Sequence, residues 1–133
     1  GFDQYFGLIT GAAHYWNPKT LTRDNDPVNV DELPEDFFLT DAISDQAAEY
    51  IEGHAASDSD QPFFLYTAYN APHWPLHAHE EDIAKYKGRF AGGWDQLREE
   101  RIQRMREMGI LDESWALSAR DASQVPWEEA EDK

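Results

Sequence analysis

Phe63-Phe64-Leu65-Tyr66-Thr67-Ala68-Tyr69 is a continuous apolar and aromatic run, with Pro62 before it and Asn70-Ala71-Pro72 behind it. A run without polar alternation has no face to give to water, so it predicts a central strand buried on both sides. Upstream, Ile43, Ala47 and Ile51 recur every four residues with Ala48, Tyr50 and Ala55 beside them. That spacing gives one apolar face and predicts a helix over 41–54. The Thr40 hydroxyl is placed to cap it, and Asp41 sits where the helix dipole favours negative charge. Ala56-Ser57-Asp58-Ser59-Asp60-Gln61 reads as the intervening loop. Helix, loop and all-apolar strand make half of a β-α-β unit, which points to an α/β fold with a mainly parallel sheet flanked by helices.

The chain's 133 residues suffice for one domain at most. Hydrophobic residues make up 41% and aromatics 14%, enough to exclude wholesale disorder. With 27 Asp and Glu against 11 Lys and Arg, the formal net charge is −16, so nucleic acid and anionic membrane would be repelled. No apolar stretch has the length of a membrane span. Cysteine is absent, which removes disulfides, thiolate zinc sites and a cysteine nucleophile together. The acid excess, with only four Lys, resembles the surface of salt-adapted proteins. The opening Gly and the charged close suggest an internal piece of a longer chain.

Three stretches follow. Residues 1–39 form a loop-rich aromatic segment with short strands, punctuated by Gly7, Gly11, Pro18 and Pro27. Residues 40–73 hold the helix and the core strand. Residues 74–133 form a helical and irregular acidic extension, with a helix over 94–108 carrying Leu97, Ile102, Met105 and Met108. Glu100 and Arg104 supply an i,i+4 pair there, and Gly109 ends the helix. Trp115 and Trp127 in the tail suggest an arm packed on something, inside this chain or beyond it.

In open α/β sheets, reactive side chains sit in loops beyond the carboxyl ends of strands. That place is Asn70-Ala71-Pro72-His73-Trp74-Pro75-Leu76-His77-Ala78-His79. The two prolines stiffen the turn around His73, whose imidazole could meet an anionic oxygen or protonate a leaving group. The alternative is a histidine that merely pins its loop to a backbone carbonyl. His73, His77 and His79 also invite a metal reading, but Pro75 interrupts any common helix and the H-E-x-x-H pattern is missing. His77 and His79, beside Glu80-Glu81-Asp82, fit the start of a short helix reaching Tyr86. Asp24-Asn25-Asp26 lacks calcium-loop spacing and reads as a turn. His14, Tyr15, Trp16 and Asn17 could line a pocket, with His14 and Trp16 the candidate substrate contacts and a packed turn beside Asn17-Pro18 the alternative.

Several of these stretches resemble the middle of bacterial arylsulfatases: Gly1-Phe2-Asp3-Gln4-Tyr5-Phe6-Gly7, Leu21-Thr22-Arg23-Asp24-Asn25, Thr40-Asp41-Ala42-Ile43-Ser44-Asp45, and above all residues 62–76. The likeness continues through Tyr86-Lys87-Gly88 and Gly93-Trp94-Asp95. The resemblance implies a sulfuric ester hydrolase of the alkaline-phosphatase-like superfamily, acting on a small-molecule or carbohydrate sulfate ester. It implies a formylglycine nucleophile and a calcium ion, both supplied outside this chain, whose own sequence has neither Cys nor Ser-x-Pro-x-Arg. His73 matches the family's sulfate-contacting histidine in Ala-Pro-His-Trp-Pro. No metal ligand carries over, since Asp24-Asn25 stands in the wrong context, and His79 departs from the proline common at that position. Periplasmic or secreted location is also implied.

The expectation is therefore a sulfatase piece that supplies one catalytic histidine and is inactive alone. Two other readings stay open: a phosphoester hydrolase on the same fold, and a non-catalytic acidic interaction module supported only by the tryptophan-bearing tail.

Overall fold

The computed structural model describes residues 1–57 and 60–131, so Asp58 and Ser59 of the expected polar loop and the last two residues of the tail lie outside the described residues. The chain divides into two units, Gly1–His77 and Ala78–Lys133.

The first unit begins with a small sheet of β1 (Phe6–Leu8), β2 (Leu21–Arg23) and β3 (Asp26–Pro27). All pairings are antiparallel in the order β1-β2-β3, with Phe6 opposite Arg23 and Leu8 opposite Leu21. The Arg23 guanidinium lies 4.9 Å from the centre of the Phe6 ring, a cross-strand cation–π contact. Asp24 turns the chain between β2 and β3 with φ of 53°, a conformation Asp tolerates better than most residues. Its Oδ1 accepts the Tyr5 backbone N–H at 2.8 Å, and its own N–H donates to the Tyr5 carbonyl at 2.8 Å. The acidic run is thus a turn whose carboxylate is spent on backbone.

Helix α1 spans Leu39–Ala56, two residues longer at each end than the sequence predicts. Thr40 does not cap it; Phe38 occupies the N-cap without a side-chain bond, and the Leu39 N–H donates to the Tyr15 carbonyl at 2.9 Å. Packing explains the shift. Leu39 is fully buried with Tyr15, Leu21 and Phe38, while Phe6, Leu8, Leu33 and Ile43 close around them. Entry of Leu39 into that core starts the helix before the local cap can, and a tertiary carbonyl meets the orphan N–H. Farther along, Gln46 is buried and donates to Glu49, whereas Ile51 is exposed. The apolar face therefore works mainly over the first half of the helix.

The expected central strand is not one among the described residues. Residues 63–69 join no ladder, and their large side chains are open: Phe64 is 76% and Tyr66 70% exposed. A strand of this composition gains from burial only when neighbours cover both faces. Here β1 to β3 pair among themselves, and α1 gives a few lateral contacts, with His54 and Phe63 rings 4.6 Å apart and Ser44 Oγ 3.0 Å from the Tyr69 hydroxyl. The sheet among the described residues is antiparallel and three-stranded, not parallel.

The second unit holds α2 (Glu80–Tyr86), α3 (Gly93–Glu107) and a 3-10 turn at Trp127–Glu129. Three acids fill the first turn of α2 and Lys85 the last, in accord with the dipole. In α3, Glu100 engages Gln96 one turn before it. Gly109, at φ +69°, ends the helix: its N–H donates to the Arg106 carbonyl and the Ile110 N–H to that of Met105. The tail then folds back within its own unit. Trp127 meets Trp94 edge to face at 4.9 Å, donates its indole N–H to the Ala91 carbonyl at 3.1 Å, and gives its backbone N–H to Asp95. Arg120 grips both Asp95 oxygens at 2.9 and 3.0 Å. The Trp127 partner lies in this chain, whereas Trp115 stays exposed.

Candidate functional site

The site lies in the first unit, where residues 70–77 leave the apolar run. The His73 backbone N–H donates to the Asn70 carbonyl at 2.9 Å, closing a tight turn, and the Ala71-Pro72 and Trp74-Pro75 bonds on either side are cis. The His73 ring is exposed, and its Nδ1 stands 2.8 Å from the Trp74 carbonyl oxygen. A carbonyl can only accept, so Nδ1 carries the hydrogen and donates it. Nε2 is then the nitrogen left for chemistry. The bond that pins the ring and the remaining ring nitrogen lie on opposite sides of one imidazole.

Three bonds tie this loop to residues 13–15. The Tyr15 hydroxyl donates to the His73 carbonyl at 3.0 Å. The Tyr15 backbone N–H donates to His77 Nδ1 at 3.4 Å, and Asn70 Nδ2 donates to the Ala13 carbonyl at 3.2 Å. Asn70 Oδ1 is buried without a hydrogen-bond partner. Tyr15 is 1% exposed, so the loop is fastened to a residue that cannot move independently of the core.

Of the sequence candidates, His14 comes to the same place. Its ring meets that of His77 at 4.3 Å between centroids, and its Nδ1 accepts the Trp16 N–H at 3.3 Å. Trp16 packs its indole on Phe38 at 4.5 Å and keeps a partly exposed edge. Sequence reasoning grouped Tyr15 with its neighbours as a possible pocket residue and Asn70 with the loop, and gave neither a role of its own. The signal for Asn70 was its place at the exit of the apolar run; nothing in the letters marks Tyr15 apart from its neighbours.

Among the described residues no three His, Asp or Glu side chains converge in a way that could hold a metal ion. Asp24 directs its Oδ1 to the Tyr5 N–H, and no metal-holding group of side chains forms around it among the described residues. The described residues do not fit a calcium centre. A groove of about 1030 Å³ runs between the N-terminal segment, α1 and residues 61–70, but His73 does not line it. Its walls include Phe2, Tyr50, Phe63 and Tyr66.

The first unit thus combines a small antiparallel sheet and a helix with a core-anchored turn on which the His73 ring is exposed. The family model described as sulfatase matches residues 1–116, and the chain belongs to the sulfatase family. An arylsulfatase of Klebsiella aerogenes is 30% identical over 128 residues, covering 88% of this chain and 26% of that protein. An uncharacterized sulfatase of Schizosaccharomyces pombe is also 30% identical over 128 residues, covering 86% of this chain and 22% of its own length. An uncharacterized sulfatase of Escherichia coli K12 is 35% identical over 75 residues, 56% of this chain and 12% of its own. The chain thus spans about a quarter of the length of the first two relatives. Among the described residues, no helix is long and apolar enough to cross a membrane.

Proposed function

We propose that this chain is the part of a sulfuric ester hydrolase, of arylsulfatase type, that supplies a histidine to the sulfate group of a small-molecule or carbohydrate ester. The observation that carries the reading is the state of His73: an exposed imidazole whose Nδ1–H is committed to the Trp74 carbonyl at 2.8 Å. When the ring is protonated, Nε2–H can donate to a sulfate oxygen or pass its proton to the departing oxygen as the sulfur–oxygen bond breaks. A fixed donor is effective because negative charge grows on those oxygens in the transition state and the donor needs no reorientation. His14 and Trp16 flank the approach as substrate contacts, His14 through its place beside His77.

In this reading the nucleophile, a formylglycine, and a calcium ion come from residues outside this chain, and the protein acts in the periplasm or outside the cell. Residues 63–69 are a core strand of a mainly parallel, alkaline-phosphatase-like sheet whose other strands lie elsewhere in the protein. The groove lined by Phe63 and Tyr66 is the space for them.

The test is His73→Ala in the full-length protein with an aryl sulfate as substrate. Turnover is expected to fall about a hundredfold, the usual scale for losing a general acid or an oxyanion donor. Unchanged turnover removes His73 from the chemistry. Hydrolysis of an aryl phosphate in preference to the sulfate would move the assignment to phosphoesters.

A further inference from the structure

We infer that Tyr15 is the positioning residue for His73, acting from the hydrophobic core through the loop backbone. The inference rests on the reading of His73 given above and adds a residue to it.

Each polar atom of Tyr15 has a distinct long-range task. Its carbonyl accepts the first N–H of α1 from Leu39 at 2.9 Å. Its backbone N–H donates to His77 Nδ1, and its hydroxyl donates to the His73 carbonyl at 3.0 Å. The ring is buried beside Phe38, with centroids 5.6 Å apart, and Leu21 and Leu39 complete its cage. A buried phenol commonly finds a hydrogen-bond partner for its hydroxyl. What distinguishes this one is the address of its proton, the main chain of the proposed catalytic residue itself.

Position matters here more than strength. The His73 ring is exposed and has few packing contacts of its own to hold it, so its location is inherited from its backbone. That backbone is fixed at residue 70 by the Asn70 amide on Ala13, at residue 73 by the Tyr15 hydroxyl, and at residue 77 by the Tyr15 N–H. Of the three, only the hydroxyl bonds to His73. Without it the turn keeps its internal bond from the His73 N–H to Asn70 but loses the bond that ties residue 73 itself to the core, and small displacements of a catalytic group from its working geometry cost disproportionately in rate.

Tyr15→Phe removes the hydroxyl and keeps the ring that fills the core. In the full-length protein it is expected to lower kcat on aryl sulfates about tenfold with KM little changed, the scale of a modest misplacement. The loss should be larger for esters of weakly acidic phenols, which need the proton from His73, than for nitrophenyl esters, which leave readily. In the His73→Ala background, Tyr15→Phe should cost nothing further. A merely structural defect would lower the active fraction alike for every ester and would add to His73→Ala, and either result overturns the inference. If His73→Ala is crippling and Tyr15→Phe is indistinguishable from the parent, the positioning role fails while the reading of His73 stands. If His73→Ala itself is silent, both fall.

Discussion

Gly93→Ala measures how firmly the acidic tail is docked on α3. Gly93 sits at φ +76°, and a Cβ built there would run into the Trp127 indole. Two costs follow. An L-residue in the left-handed region loses roughly 1–2 kcal/mol. Displacing Trp127 forfeits its edge-to-face contact with Trp94, about 0.5–1.5 kcal/mol, and its indole hydrogen bond to Ala91, about 1 kcal/mol. Together Gly93→Ala should destabilise by about 3 kcal/mol. Gly109 provides the control, since it shares a positive φ of +69° but has nothing within 4 Å of a built Cβ. Gly109→Ala should therefore show the backbone cost alone, about 1–2 kcal/mol. Urea unfolding with an unchanged slope gives both values as midpoint shifts. Adding Trp127→Ala to Gly93→Ala should shrink the Gly93 effect to the Gly109 level, because nothing remains to collide with. Equal costs at the two glycines, or a Gly93 effect that survives the loss of Trp127, would refute the docking.

Leu39→Ala, at the one fully buried position of α1's first turn, should cost about 2–5 kcal/mol in the same urea experiment; a shift below about 1 kcal/mol would mean the core around Tyr15 is not close-packed. Asp95 predicts an acid dependence. Partial desolvation opposes its ionisation, but the Arg120 guanidinium and the Trp127 N–H outweigh this and hold its carboxyl below the usual carboxylate value. A group depressed in the folded state stabilises above its unfolded value, about 4, and that contribution is lost as pH falls through the folded value. The stability gap between the parent and Asp95→Asn should close as pH is lowered from neutral into that range, while Asp112 and Asp121, also held low by Ser114 and Ser123, go on titrating in both. A gap that stays constant with pH would show that Asp95 does not act through its charge.

Local periodicity was a good guide wherever the deciding contacts are local. The three helices, the turn at Asp24 and the stop at Gly109 follow from side-chain spacing, charge placement and residues at positive φ, all contained within a few residues. The start of α1 was misread because its first N–H is met by Tyr15, some two dozen residues upstream, which no cap rule can see. Residues 63–69 show the same limit from the other side. Their composition states what surroundings they require, and β1, β2 and β3 do not provide them.

The site divides along the same line. His73 could be picked out because prolines on both sides and the exit from an apolar run are features of the sequence itself. His14, Tyr15, Trp16 and Asn17 stand together in one cluster of polar and aromatic letters, and within it Tyr15 holds the loop by hydrogen bonds. Tyr15 looks ordinary because half of its character is that of a core side chain, buried with Leu21 and Leu39, and only its hydroxyl reaches the turn. A residue of that kind serves stability and placement with the same atoms, so neither periodicity nor motif separates it from a plain core aromatic. Its role becomes visible when the partner of its proton is known, and that partner is 58 residues away in the chain. Positioning residues of a loop-borne site are for this reason to be sought in the core beneath the loop, among buried side chains whose one polar atom points at the catalytic residue's backbone.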